Sequence, residues 1–284
     1  MSVRPTGVVV LMLSSVLSAQ TQGPTFSTKV EAVRVDVLVT EKGQPVLGLG
    51  PADFEVFDNG VPQQVEFVSY DQIPLNVVLV LDMSDSVAGE RLDHLRAAGA
   101  ALLAGLKRSD QAALVTFSNR IALGSALSTD LGPIREALEG VVGTGDTALV
   151  DGTYAGLTVG ESDAGRALLI VFSDGLDTVS WLSPAAVLDT VKRTDVVLYG
   201  VSVGRSKPEF LRDLASLSGG RLFEMDKTAN LATTFVSILE EFRQRYLVSY
   251  TPRGVSKDGW HRLDVRTKGK RATIKARPGY LAGS

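Results

Sequence analysis

The amino-acid sequence predicts an α/β fold: a doubly wound, mostly parallel sheet with helices on both faces, joined to a small antiparallel β-unit built from N- and C-terminal segments. Three observations predict it. Two almost unbroken apolar runs, residues 77–81 and 168–172, read as strands buried on both faces, as in the interior of a parallel sheet. Around them, segments with apolar residues at helical spacing alternate with short apolar strands. Before residue 72 and after residue 245 the pattern changes to a period of two, which belongs to half-buried antiparallel strands.

In chain order, the first residues have the parts of an export signal: a positive start at Arg4, an apolar run over 7–17, and small residues at Ser18-Ala19. The run falls short of the ~20 residues that span a bilayer. Residues 1–19 are therefore expected to be cleaved near Ala19, leaving a mature chain with no transmembrane segment outside the cytoplasm, periplasmic or secreted. Val33, Val35, Val37 and Val39 then alternate with Arg34, Asp36, Leu38 and Thr40, and Lys42-Gly43 make a turn. Segments 54–57 and 65–70 flank Asp58-Asn59-Gly60, a strong turn signal, so residues 28–71 are expected to form one antiparallel unit.

Residues 72–245 carry the strand and helix alternation. Leu92, Leu95, Gly99, Leu102 and Leu106 trace one helical face, 112–117 is a strand, and 134–138 belongs to a helix. Another helix begins at Ala148. After the run at 168–172 come a helix at 184–192, a strand at 196–203, a helix at 208–217 and a strand at 221–224. Leu231, Phe235, Ile238 and Phe242 give the last helix its buried stripe. Segments 246–251, 262–267 and 273–277 alternate again, split by Pro252-Arg253-Gly254 and Lys268-Gly269-Lys270. Neither terminal group has the apolar surface to stand alone, so 246–280 is expected to share a sheet with 28–71.

Composition narrows the function. With 284 residues and 44% hydrophobic content, the chain builds a sizeable core. A net charge of −3 with interspersed signs argues against a nucleic-acid partner. The absence of cysteine excludes disulfides, thiolate metal sites and cysteine nucleophiles, and only His94 and His261 remain for imidazole chemistry. Trp181 and Trp260 are expected to pack inside, and the basic residues from Arg262 to Arg277 to form a solvated hairpin face.

An open parallel sheet binds ligands at the carboxyl ends of its strands. The run ending at Asp82 continues into Ser84 and Ser86, whose alternate spacing turns three oxygen-bearing side chains toward one point while Met83 faces the core. One carboxylate and two hydroxyls suit a hard cation. Two more loops, Gly143-Thr144-Gly145-Asp146-Thr147 and Ser173-Asp174-Gly175, offer oxygens at the same edge. The plainer account of Asp82, Ser84 and Ser86 is a helix-capping turn. GTGDT lacks the lysine of a phosphate-binding loop.

Asp82-x-Ser84-x-Ser86, the threonine of GDTAL and Asp174 of VFSDG together resemble the metal-ion-dependent adhesion site of von Willebrand factor type A domains, over roughly residues 75–242. The terminal β-segments resemble those of an exported bacterial subgroup of such proteins. The resemblance implies a Rossmann-like fold and a protein-binding module rather than an enzyme. It implies a magnesium, manganese or calcium ion held by the hydroxyls of Ser84, Ser86 and Thr147, and largely through water by Asp82 and Asp174. Thr147 is chosen over Thr144 because the family's threonine directly precedes an apolar pair such as Ala148-Leu149. The implied partner is a protein offering an Asp or Glu carboxylate to the open coordination position. Where the family often has glycine this chain has Asp85, which would favour calcium, occlude the open position, or face solvent; Asp177 is expected to cap its loop. The alternative is a metal-dependent hydrolase or phosphatase with Asp82 as nucleophile. Against it, Ser84 stands where a haloacid dehalogenase has its second aspartate.

Overall fold

The structure is a computed structural model that describes residues 32–161, 165–204, 208–269 and 271–283. The expected export signal, residues 1–19, lies outside the described residues. Strand β1 (Val33–Glu41) turns through Lys42 and Gly43, both at positive φ, into β2 (Gln44–Pro45). Strand β3 (Phe54–Asp58) turns at Asn59-Gly60, with φ of 49° and 81°, into β4 (Val61–Gln63), and β5 (Val65–Tyr70) follows. The hairpin partner across the Asn-Gly turn is thus 61–63, not the expected 65–70. Two central residues at positive φ hold the pairing of Asp58 with Val61, and β5 leaves for a different sheet.

The α/β region runs β6 (Leu75–Asp82), α1 (Glu90–Ala104), β7 (Gln111–Phe117), β8 (Ile121–Ser128), α2 (Gly132–Gly140), α3 (Leu149–Gly160) and β9 (Arg166–Ser173). It continues through α4 (Pro184–Val191), β10 (Val197–Val203), α5 (Glu209–Ser218), β11 (Leu222–Met225) and α6 (Leu231–Arg243). The strand order is β11-β10-β9-β6-β7-β8, parallel throughout except for β8, which runs antiparallel to β7. Every residue of β6 and β9 is buried. Helices α1, α2 and α6 cover the face that carries Leu79, Leu81, Ile170 and Tyr199. Helices α3, α4 and α5 cover the face that carries Val78, Val80, Leu169 and Leu198, so the sheet is doubly wound. Gly156 lets α3 approach β6: a Cβ there would stand 2.3 Å from the Val80 side chain.

The chain ends in β12 (Tyr246–Tyr250), β13 (Gly259–Thr267), β14 (Thr273–Lys275) and β15 (Gly279–Ala282). N- and C-terminal strands interleave, but in two sheets rather than one: β14-β1-β12-β5, with β2 on β1, and β15-β13-β3-β4. A single sheet would leave one apolar face in water. Two sheets enclose Val35, Val37, Val56, Val248, Leu263 and Val265 between them. Inside this core, His261 Nδ1 lies 2.7 Å from Asp58 Oδ1, and the hydroxyls of Tyr250 and Tyr280 each donate to Asp58 Oδ2 at 2.8 Å.

The β-unit meets the amino-terminal edge of the parallel sheet, and arginines make the join. Buried Arg166, the first residue of β9, donates through Nε and Nη2 to Asp36 of β1. Buried Arg245 donates to the Tyr199 hydroxyl at 3.0 Å and the Gly219 carbonyl at 2.8 Å. Arg34 reaches the Gly165 carbonyl, and Arg277 the Thr194 carbonyl. Asp36 and Leu38, outward-facing in a half-buried strand, are therefore buried as well. Arg277 is a docking residue rather than part of a solvated face, and burial pushes the Lys275 ammonium down to about 8.

Candidate metal centre

Strand order reverses beside β6: its chain-order successor β7 lies on one side, while β9 and β10 lie on the other. The crevice between the carboxyl ends of β6 and β9 is the place where such sheets bind ligands. Asp82 ends β6 there, fully buried, with Oδ1 accepting from the Ser84 backbone N–H at 2.9 Å and Oδ2 from the Ser173 hydroxyl at 2.7 Å. Ser84 Oγ is 3.0 Å from Ser86 Oγ, and Ser86 Oγ donates to Asp174 Oδ1 at 2.6 Å. Thr147 is buried at the neighbouring loop, its hydroxyl 3.6 Å from the position of a Cβ on Gly175. Asp82, Ser84, Ser86 and Asp174 thus form one connected chain of oxygens, and Thr147 borders it at Gly175.

The two leading loops are stitched together by backbone. Thr144 N–H donates to the Met83 carbonyl at 2.7 Å and Asp85 N–H to the Gly145 carbonyl at 2.9 Å, while the Asp85 carboxylate takes the Gly145 N–H in return. Asp85 is consequently an exposed strut between loops. The capping account finds no support: Ser84, before a short 3-10 turn, makes no side-chain cap hydrogen bond, and the residue at the start of α1 is Gly89, which has no side chain to cap with. Asp177 caps α3 rather than its own loop alone, accepting from the Val150 N–H at 3.1 Å and from the Ser180 hydroxyl.

Sequence reasoning placed Ser173 at this edge without a role, and missed two supporting residues, Arg91 and Asp151. Ser173 orients Asp82. Arg91, on the first turn of α1, pairs with Asp174 Oδ2 and donates to the Ser86 carbonyl at 3.1 Å. Asp151 accepts from the backbone N–H groups of Trp181 and Leu182, 2.9 Å each. Arg91 lies five residues after Ser86, beyond the break at Gly89, so no helical spacing marked it in advance. Trp181, expected inside, is 96% exposed, because this bonding holds its backbone on the outer side of α3.

Electrostatics favour a cation. Burial above all, and the like charge of Asp174, push the Asp82 carboxyl above the usual carboxylate range, against the hydrogen bonds from Ser173 and Ser84. A buried carboxylate with only hydroxyl and amide donors is what a divalent ion would offset. The Ser84 and Ser86 hydroxyl oxygens, 3.0 Å apart, match the edge of a small octahedron, about 2.9 Å for metal–oxygen bonds near 2.05 Å. Among the described residues no cluster of three His, Cys, Asp or Glu side chains is arranged to hold a metal, so a hydroxyl-rich centre is the arrangement to weigh. Both histidines are engaged elsewhere: His94 Nδ1 is 2.8 Å from the Thr228 hydroxyl, and His261 sits inside the β-unit.

Comparison with known proteins identifies the family and the fold. A family model described as von Willebrand factor type A domain matches residues 76–237, more than half of the chain. Calcium-activated chloride channel regulator 1 of Equus caballus is 28% identical over 165 residues, 54% of this chain and 17% of that protein. Inter-alpha-trypsin inhibitor heavy chain H2 of Sus scrofa is 26% identical over 187 residues, 59% and 20%. The chain therefore spans a fifth or less of the length of these relatives. Among solved structures, proximal thread matrix protein 1 from the mussel byssus, with a zinc-occupied MIDAS motif, superposes with a TM-score of 0.55 at 19% identity, covering 65% of this chain and 49% of that one. A von Willebrand factor type A protein from Catenulispora acidiphila gives 0.53 at 13% identity, covering 86% and 76%. At these identities the structural likeness is one of fold.

Proposed function

The chain belongs to the von Willebrand factor type A domain family, and from that premise we propose that it is an exported protein-binding module whose grip depends on a divalent metal ion. The carrying observation is the oxygen chain Asp82, Ser84, Ser86, Asp174 at the switch point, with Thr147 beside it. Ser84, Ser86 and Thr147 would hold the ion through neutral hydroxyls, and Asp82 and Asp174 through water. A bound ion supplies an electrophilic position for an anionic oxygen. Ser173 and the Ser84 N–H keep Asp82 aimed, while Arg91 offsets the outer oxygen of Asp174. Asp85, occupied with Gly145, brings no third carboxylate to the centre, which supports magnesium over calcium.

The partner in this reading is a protein that presents an Asp or Glu to the open position. Export is supported by Arg4, the apolar run 7–17 and Ser18-Ala19. Among the described residues, no helix is long and apolar enough to cross a membrane. A hydrolase gains no support from the centre, where the Asp82 carboxylate is buried and both its oxygens are engaged. Titration calorimetry with magnesium, manganese and calcium tests the proposal. Wild type should bind, and Asp174→Ala should not, with circular dichroism unchanged because the site sits on loops above a separately packed sheet. Absence of heat from all three ions with wild type would sink the reading.

A further inference from the structure

The loop that leaves the metal centre holds four apolar side chains in water. After Asp174, Leu176 is 56% exposed, Val179 39%, Trp181 96% and Leu182 37%; Val142, on the other loop bordering the centre, is 67% exposed. Single exposed apolar residues are ordinary, but a cluster led by a bare tryptophan marks a surface built to be covered.

The loop is fastened rather than loose. Asp151 takes the Trp181 and Leu182 N–H groups, the Ser180 hydroxyl takes the Asp151 N–H at 3.1 Å, Asp177 takes the Val150 N–H, and the Thr147 carbonyl takes the Thr178 N–H at 2.8 Å. These bonds bind residues 177–182 to the start of α3, which follows Thr147 directly. Thr178, three residues before Trp181, is bonded to Thr147 in both directions, its hydroxyl taking the Thr147 N–H at 3.1 Å, so the loop adjoins the metal centre.

We propose, resting on the metal-dependent binding above, that this rim is the second half of one binding site. Its occupant is a protein segment with an Asp or Glu flanked, within two or three residues, by an aromatic or branched aliphatic side chain. Charge selects the first element: an ion at the centre attracts a carboxylate, the Arg91 guanidinium being already paired with Asp174. The rim selects the second, an apolar side chain within the roughly 7–10 Å that two or three residues of extended chain span from the acid. Exposed acids around the rim, Asp85, Asp146 and Asp177, oppose an anionic lipid surface. A preset tryptophan needs no loop ordering on binding, which is how aromatic anchors concentrate affinity.

Selection from a random-peptide display library on the immobilised full chain, in magnesium and in EDTA, tests this. Wild type should enrich, only in magnesium, peptides that pair an acid with an apolar neighbour. W181S should keep the acid and lose the neighbour, and should bind the best synthetic wild-type peptide about tenfold or more weakly; W181F should stay near wild type. Enrichment of the acid without an apolar neighbour, or indifference to W181S, overturns the rim and leaves the metal-dependent reading standing. No magnesium-dependent enrichment overturns both. Self-association in sedimentation that W181S abolishes would make a second copy the occupant, and W181S-sensitive binding to phosphatidylcholine vesicles would make it a lipid surface; either result rejects the peptide partner.

Discussion

Asp36→Ala should be one of the costliest single changes in this protein. The Asp36 and Arg166 side chains are 4% and 1% exposed, and the carboxylate takes both Nε and Nη2 of the guanidinium. Without it, Arg166 keeps, among the described residues, the Phe242 carbonyl at 3.3 Å and the Phe242 ring at 4.8 Å, too little to offset a charge out of water. Breaking one partner of such a pair costs about 3–5 kcal/mol. For a chain of this size that lowers the melting temperature by roughly 10 °C. The double variant Asp36→Leu/Arg166→Met removes both charges and should return within about 1 kcal/mol of wild type. Urea titration followed by tryptophan fluorescence and circular dichroism measures both. A loss below about 1 kcal/mol for Asp36→Ala, or a double variant as weak as the single, would refute the view that a buried ion pair joins the β-unit to the parallel sheet. Magnesium titration of Asp36→Ala below its melting range should match wild type, since the pair lies at the opposite sheet edge from the metal centre.

Two further expectations come from the same join. Burial, with Arg245 and Arg221 nearby, lowers the Lys275 pKa to about 8, so its charged form disfavours the fold. The unfolded chain holds this proton up to about pH 10.4, and stability attributable to the residue therefore rises from about pH 8 to 10.4. Lys275→Leu should add on the order of 1 kcal/mol at pH 7, discounted for partial exposure, and its advantage should shrink across that interval in thermal melts. Truncation after Arg245 removes β12 and β14 from β1, β12 from β5, and β13 from β3; the product should aggregate. A soluble truncation with unchanged melting would contradict the interleaved sheets.

The elements legible in the sequence are those whose environment is uniform along their length. Strands β6 and β9 are buried on both faces, and a run such as Val77-Val78-Leu79-Val80-Leu81 admits little else. The site was legible because Asp82, Ser84 and Ser86 interrupt that run with one kind of atom. Strand β8 was missed: Ile121 and Leu123 are exposed at the sheet edge, and its pairing with β7 shifts register twice, so no clean alternation survives. Strand β15 is four residues long and offers too little pattern. Which sheet residues 65–70 would join was decided by distant β12, and the burial of Asp36 by Arg166, 130 residues away. The exposure of Trp181 depends on Asp151, a contact that composition does not encode.

Strands β1 and β12 are antiparallel, with Val33 opposite Tyr250 and Val37 opposite Tyr246. Suppose a partner held at the metal centre is tugged while the chain ahead of Val33 is held fast. One force then enters β1 at its Val33 end, and the other enters β12 at Tyr246, through α6. Those points lie at opposite ends of the ladder, so the load runs along the strands and strains five registered pairs together instead of peeling them one by one. Arg166 of β9 and Asp36 of β1 add a separate charged link from the parallel sheet to β1. Under such a load the antiparallel ladder would be sheared rather than unzipped.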